Sequence, residues 1–161
     1  MAAEQPALID EALASFLAGP VSGFLGTADT LGTPDASRIV GVRAIDGSHL
    51  HILISAQAET ARRNATVGAR VAVLITDITN YRSVEWKGRI EATGQSRSPG
   101  DTALIDHHIR TFKQASPVVG LDPEDVWRIF PLDGVPLVVA VDEIFDQTPG
   151  RNAGHAMKTP S

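Results

Sequence analysis

The hydrophobic pattern of the first third of the chain predicts a short helix followed by three strands. Apolar residues between positions 8 and 17 recur at helical spacing, and Gly19-Pro20 ends that helix. The dipeptide Asp46-Gly47 favours a tight hairpin, because glycine readily adopts a positive φ. The predicted strands cover residues 21–28, 36–45 and 49–55. We expect these strands to pair in sequence order as an antiparallel meander.

The rest of the chain alternates between helical and extended patterns. Helices are predicted over residues 58–68 and 98–113, and strands over residues 70–77, 83–97, 127–131 and 136–145. The strand over residues 70–77 is apolar enough to predict burial of both its faces. Gly88 lies in the middle of the following strand and indicates a β-bulge or the close approach of another backbone.

This order of elements predicts a mainly β protein with some α structure. Strands joined mostly by hairpins favour an antiparallel split β-barrel of about six to seven strands, flanked by short helices, over a parallel α/β sheet. The length fits a single domain over residues 1–161. The tail over residues 147–161 contains glycine and proline and is predicted to be partly mobile, chiefly beyond Gly154.

The amino-acid composition limits the classes of partner that we expect the protein to bind. The chain has 14 basic and 19 acidic residues, a formal charge of −5 and 5% aromatic residues, which argues against nucleic-acid binding. It contains no cysteine, in agreement with a cytoplasmic location. Neither a signal peptide nor an apolar run of membrane-spanning length is visible. A small molecule or another protein is therefore the expected partner.

Two arginines in the second predicted strand are the first candidates for chemistry. Arg38 and Arg43 flank the apolar stretch Ile-Val-Gly-Val. In one interpretation, Arg38 clamps a phosphate while the backbone of residues 39–41 approaches a flat ring, with Gly41 leaving the space open. In the other interpretation, both arginines lie at the solvent-exposed edge of the strand and extend their charged groups into water.

A second candidate lies where the third predicted strand meets the following helix. A strand end directly before a helix start presents free N–H groups that favour an anion. Ser55, Thr60, Arg62 and Arg63 could add hydroxyl and guanidinium donors. The alternative is an ordinary surface helix with a solvated basic face.

Taken in order, the segments RIVGVR, ILISAQAETARRN, ARVAVLITD and SVEWKGRIEA resemble the pyridoxamine 5'-phosphate oxidase-like family of FMN-binding split barrels. The resemblance extends over residues 21–92 and implies a homodimer that holds FMN at the subunit interface. It also implies a flavin-dependent oxidoreductase with a small-molecule substrate. The catalytic residues are not indicated by the sequence, and no metal site is predicted.

The resemblance assigns cofactor-binding roles residue by residue. Arg38 becomes the phosphate clamp, the backbone of Ile39, Val40 and Gly41 contacts the isoalloxazine ring, and Arg43 lies near its reactive edge. Ser55 supplies a hydroxyl at the strand end, and Thr60, Arg62 and Arg63 lie at the phosphate. Ser83 replaces a flavin-contacting amide.

The sequence departs from the family's pattern at two points, and these leave an alternative function open. The family's Ser-Arg-Lys triplet is replaced by Glu59-Thr60-Ala61, which brings a carboxylate to the expected phosphate corner. The Arg-x-His pattern near the chain end of true pyridoxamine phosphate oxidases is missing, so oxidation of vitamin B6 is not expected. The alternative is a non-catalytic or degenerate split barrel that carries flavin or binds haem or a deazaflavin.

The histidines, Asp101 and the two tryptophans are predicted to be structural. The five histidines are interpreted as surface or interface residues, and Asp101 as a helix-start charge. Both tryptophans, Trp86 and Trp127, are predicted to lie in the core.

Overall fold

The computed structural model describes residues 7–157 and shows a mainly β protein. The helices are α1 (Glu11–Leu17), α2 (Glu59–Asn64) and α3 (Pro99–Ala115), and 3-10 helices cover Ser116–Val119 and Pro123–Arg128. The strands are β1 (Val21–Ala28), β2 (Pro34–Ala44), β3 (His49–Ile54), β4 (Arg70–Asp77), β5 (Ser83–Thr93), β6 (Val135–Asp146) and β7 (His155–Ala156).

Six antiparallel strands close into a barrel. The sheet runs β3-β2-β1-β4-β5-β6, and the pairing of β3 with β6 joins its two ends. Strand β7 adds two residues to the edge of β6, opposite Phe145 and Asp146. The predicted antiparallel barrel flanked by short helices is thus confirmed. The mobility predicted for the tail stays a prediction, and residues 158–161 lie outside the described part of the chain.

The barrel encloses one large apolar core. Alternate residues of the strands point inward, and α1 and α2 add side chains to the same cluster. Trp86 of β5 is fully buried there, and its ring stacks on Phe16 of α1 with the centroids 6.2 Å apart. A smaller cluster outside the barrel joins Phe112 of α3 to Val126 and Phe130.

Both of the features predicted as alternatives at Gly88, a β-bulge and the close approach of another backbone, are present. The register of the β5–β6 pair shifts between Lys87 and Gly88, so a β-bulge lies there. A Cβ atom built on Gly88 would lie 2.0 Å from the carbonyl oxygen of Ala140 on β6. Only glycine allows the two backbones to approach this closely.

Three predictions about apolar residues are wrong. Residues 127–131 do not form a strand: Val126 and Phe130 are buried four positions apart, which is the spacing of a helical turn. Trp127 lies outside this buried pair and is 63% exposed. Strand β4 buries only one face, since Leu74 on its other face is 37% exposed.

Helix α3 begins as its sequence predicts. Ser98 and Asp101 form a reciprocal capping box, and Pro99 occupies the first turn. The Asp101 carboxylate also lies 2.6 Å from Nε2 of His51 on β3. This contact ties the start of α3 to the barrel wall.

Candidate functional site

Arg38 lies on the outer face of β2 and is half-buried. Its Nη1 donates to the hydroxyl of Ser22 at 3.1 Å. The guanidinium carbon lies 4.8 Å from the ring centroid of Phe24 and 5.5 Å from that of Phe130. Within residues 7–157, no carboxylate oxygen lies within 4.0 Å of this guanidinium. Burial lowers the pKa of Arg38, because its charged form loses contact with water.

A row of hydroxyl groups extends from Arg38 across the neighbouring strands. Ser22 of β1 is paired in register with Thr76 of β4, and Thr76 is paired with Ser83 of β5. The hydroxyl oxygens of Thr76 and Ser83 are 2.8 Å apart, and Ser83 also donates to the carbonyl of Tyr81 at 3.0 Å. We call Ser22, Thr76 and Ser83 the hydroxyl row. Sequence reasoning identified Ser83 and missed the other two.

An apolar pair lies beside the hydroxyl row. Phe24 and Leu74 are register partners on β1 and β4, and they are 40% and 37% exposed. Phe24 is also the register partner of Arg38. The outer face therefore places a cation, three hydroxyl groups and two open apolar side chains next to one another. Such a mixture suits a ligand that combines an anion with a flat ring.

The backbone expected to contact a flavin ring is covered by the chain itself. Val40 is fully buried and packs with Leu53 and Ile105 of α3. A Cβ atom built on Gly41 would lie 3.2 Å from Cγ of Leu104. Ile39 points the other way, into the barrel core. Residues 39–41 are thus closed off by α3 on one side and by the core on the other.

His108 of α3 completes this cover. Strand β2 pairs with β1 only as far as Ile39, so Val42 has no β1 partner for its backbone. Nε2 of His108 lies 3.0 Å from the amide nitrogen of Val42 and 3.1 Å from its carbonyl oxygen. The prediction of a surface or interface histidine is wrong for His108, which is 3% exposed. Its Nε2 nitrogen satisfies either the N–H or the carbonyl of Val42, depending on the tautomer.

The buried imidazole predicts a pH dependence of stability. Burial lowers the pKa of His108, whereas the unfolded chain takes up this proton near pH 6.5. The unfolded state then binds more protons as the pH falls below about 6.5, so stability declines with acidification. His108→Gln keeps a hydrogen-bonding side chain and cannot gain a proton. We expect Tm between pH 7 and pH 5 to fall more in wild type than in this variant. Equal slopes would show that His108 does not carry the effect.

The corner between β2 and α2 is acidic. A cavity of about 300 Å³ at this point is lined by Asp35, Glu59 and Thr60, among others. Ser55 lies on the neighbouring β3 end, where its hydroxyl donates to Asp133 at 3.3 Å. Because Ile39 pairs with Ile54, Arg38 and Ser55 are neighbours on the outer face. Among the predicted residues, Arg38, Ser55 and Ser83 thus lie on the outer face of the barrel.

The other predicted cations point elsewhere. Arg62 donates to the carbonyl of Ala56 at 2.7 Å, and Arg63 lines a different cavity together with Asp29. Arg43 is exposed, and its Nη1 lies 3.5 Å from the carbonyl of Ala44. These three guanidinium groups do not converge on Arg38.

Residues 7–157 contain no helix that is both long and apolar enough to cross a membrane. The same residues contain no group of three or more histidine, aspartate or glutamate side chains placed to hold a metal ion.

Comparison with known proteins identifies the fold. No family model and no curated protein matches the chain. Among solved structures, HupZ of Group A Streptococcus matches with a TM-score of 0.55 and 15% identity, over 91% of this chain and 99% of that one. A candidate pyridoxamine 5'-phosphate oxidase of Lactobacillus delbrueckii matches with a TM-score of 0.53 and 15% identity, over 88% and 96%. HutZ, the haem storage protein of Vibrio cholerae, matches with a TM-score of 0.51 and 16% identity, over 86% and 94%.

These likenesses concern the fold, since the identities are low. The chain has the split-barrel fold of pyridoxamine 5'-phosphate oxidase-like proteins, and the resemblance stated from its sequence is confirmed at that level. Proteins with this fold differ in their roles, since one matching structure is named as an oxidase and another as a haem storage protein. Function therefore has to be argued from the site.

Proposed function

We propose that this protein binds FMN with its phosphate at Arg38 and acts as a flavin-dependent oxidoreductase on a small molecule. The observation that carries the proposal is the half-buried guanidinium, which has no carboxylate within 4.0 Å in residues 7–157. A cation taken out of water without a counter-ion costs free energy, so this position favours an anion supplied by a ligand. A phosphate can accept two parallel hydrogen bonds from a guanidinium.

The described residues fit FMN at its phosphate and do not fit a ring on the backbone of residues 39–41. Arg38 would hold the phosphate, and the neighbouring hydroxyl of Ser22, which accepts from Arg38, has its own proton free to donate to it. Bound FMN would supply the redox chemistry, and the residues of this chain would bind and orient it. Leu104 and Ile105 occupy the space beside Val40 and Gly41.

A second candidate is a non-catalytic binding protein, which carries flavin or binds haem or a deazaflavin. Two observations favour it. Arg43 is exposed, and the hydrogen bond found for its side chain within residues 7–157 is a 3.5 Å contact with the carbonyl of Ala44, so no other side chain of this chain fixes a cation near the redox edge of a ring. Asp35 and Glu59 make the corner beside α2 acidic, which repels a dianion there.

The proposal includes a homodimer with the cofactor at the subunit interface and a cytoplasmic location. Both follow from the resemblance and the cysteine-free composition. Sedimentation of the purified protein measures the oligomeric state. A monomer at all accessible concentrations would remove the dimer from the proposal.

An absorbance spectrum of the purified protein, followed by titration with FMN, tests the proposed function. We expect a flavin spectrum or saturable binding, and a Tm that rises with the FMN concentration, because a ligand that binds only the native state stabilises it. Reduction of the bound flavin by a nicotinamide nucleotide, followed by reoxidation by a small acceptor, would support an oxidoreductase. Binding without reduction would support a carrier. Absence of any FMN binding would contradict both flavin candidates.

A further inference from the structure

We infer that the flavin ring lies on the outer face of β1, β4 and β5, against the apolar pair and along the hydroxyl row. This inference rests on the proposed function, since it concerns the same ligand. It assigns binding roles to Ser22, Phe24, Leu74 and Thr76. It also moves the ring away from the backbone of residues 39–41.

The backbone of residues 39–41 is closed by more than one contact. Leu104 lies over Gly41, Val40 is fully buried under Ile105, and His108 bonds to the backbone of Val42. The 2.6 Å hydrogen bond between His51 and Asp101, whose side chains are 14% and 8% exposed, holds the start of α3 against the barrel. A ring could reach this backbone only after α3 had moved away. The outer face requires no such movement.

The outer face provides what a flavin ring presents. The isoalloxazine has two broad apolar surfaces and carbonyl oxygens and ring nitrogens along one edge. Phe24 and Leu74 are exposed side by side and can pack against a flat surface. The hydroxyl of Ser22 accepts from Arg38 and keeps its own proton free to donate to the polar edge, and the hydroxyl oxygen of Thr76 can accept from a ring N–H. Ser83 is 7% exposed and donates to the carbonyl of Tyr81, so its role is to hold Thr76 in place.

The distance from Arg38 to the far end of the hydroxyl row suits a ring joined to a phosphate. From β2 through β1 and β4 to β5 there are three strand-to-strand steps. At about 4.8 Å for each step, the distance from β2 to β5 is roughly 14 Å. A ligand with its phosphate at Arg38 would therefore place its ring over β1, β4 and β5.

The carboxylate nearest to the apolar pair in the strand register is already engaged. Glu85 is the register partner of Leu74. Its Oε2 accepts from the side-chain amide of Gln147 at 2.9 Å and lies 3.9 Å from Nζ of Lys87. Its charge is thus partly compensated, and it does not oppose a neutral ring beside Leu74.

The test is a fluorescence titration with two probes, FMN and lumiflavin, which is the isoalloxazine ring without the ribityl phosphate. Leu74→Ser removes the apolar contact, and Thr76→Val removes one hydroxyl while keeping the shape. Leu31→Ser is the matched control, because Leu31 is 89% exposed in the β1–β2 turn. Leu104→Ala tests the competing position, since it removes the side chain by which α3 covers Gly41 while Leu53 stays in place.

We expect Leu74→Ser and Thr76→Val each to weaken binding of both probes by about tenfold, the equivalent of about 1.4 kcal/mol. Leu31→Ser and Leu104→Ala should leave both affinities unchanged. Tighter binding by Leu104→Ala, with no effect of Leu74→Ser and Thr76→Val, would place the ring on residues 39–41 and overturn the inference.

Lumiflavin separates this inference from the proposed function. If FMN fails to bind while lumiflavin binds and depends on Leu74 and Thr76, the ring site stands and the FMN proposal is wrong. If FMN binds and neither variant weakens either probe, the FMN proposal stands and the ring site is wrong. If neither probe binds wild type, both are wrong.

Discussion

Replacing Gly88 with alanine is expected to lower the free energy of unfolding by about 3 kcal/mol. The new Cβ would lie 2.0 Å from the carbonyl oxygen of Ala140, and the next atoms it meets also belong to the backbone of β6. A backbone cannot move away from the new Cβ atom as easily as the end of a flexible side chain can. The β5–β6 pair must therefore separate at its bulge, where the barrel has its most extensive strand pairing. Thermal unfolding should show Tm reduced by roughly 6–12 °C.

Gly26→Ala provides the matched control. Gly26 lies in the middle of β1, and a Cβ atom there would meet nothing closer than 3.7 Å. Alanine is favoured over glycine inside a strand by about 0.5–1 kcal/mol, so this variant should be as stable as wild type or slightly more stable. A Gly88→Ala protein that unfolds at the wild-type temperature would show that the two backbones do not approach as described.

Replacing Arg38 with alanine is expected to weaken FMN binding at least 100-fold, which corresponds to about 2.7 kcal/mol. Arg38 is the half-buried cation on the outer face of β2, and its guanidinium lies near the rings of Phe24 and Phe130. Arg38→Lys keeps the charge and loses the planar fork, so its affinity should fall between those of wild type and Arg38→Ala.

Arg43→Ala is the control for charge alone, since Arg43 lies on the same strand and is exposed. It removes one positive charge from β2 and should leave FMN affinity within about twofold of wild type, as expected of a screened surface charge. Thermal unfolding of all three variants separates loss of binding from loss of folding. Equal losses in Arg38→Ala and Arg43→Ala would show that Arg38 is no specific phosphate ligand.

Most of the barrel could be predicted because its signals are local. Alternation of apolar residues, the Asp46-Gly47 turn and the glycine at position 88 act within a few residues of where they occur. The failed strand over residues 127–131 had a local pattern too. In the folded protein, Phe130 of this segment packs in one cluster with Phe112 of α3. This contact depends on tertiary structure, so the local pattern does not reveal it.

The candidate site was predictable in part, for the same reason. Arg38 stands out in its own strand as a long cation among apolar residues. The hydroxyl row joins residues from β1, β4 and β5, and no local pattern links Ser22 to Thr76 before the register is known. The side chains that cover Val40 and Gly41 come from α3, so their position likewise depends on where α3 packs. The amphipathic spacing of α3 predicted that the helix exists and did not predict where it packs.

A crystal structure of the protein with FMN tests the central claim most directly. We predict that the phosphate oxygens lie within hydrogen-bonding distance of the Arg38 guanidinium and that α3 keeps its place over Gly41. A phosphate bound away from Arg38, with that side chain still donating to Ser22 alone, would contradict the account.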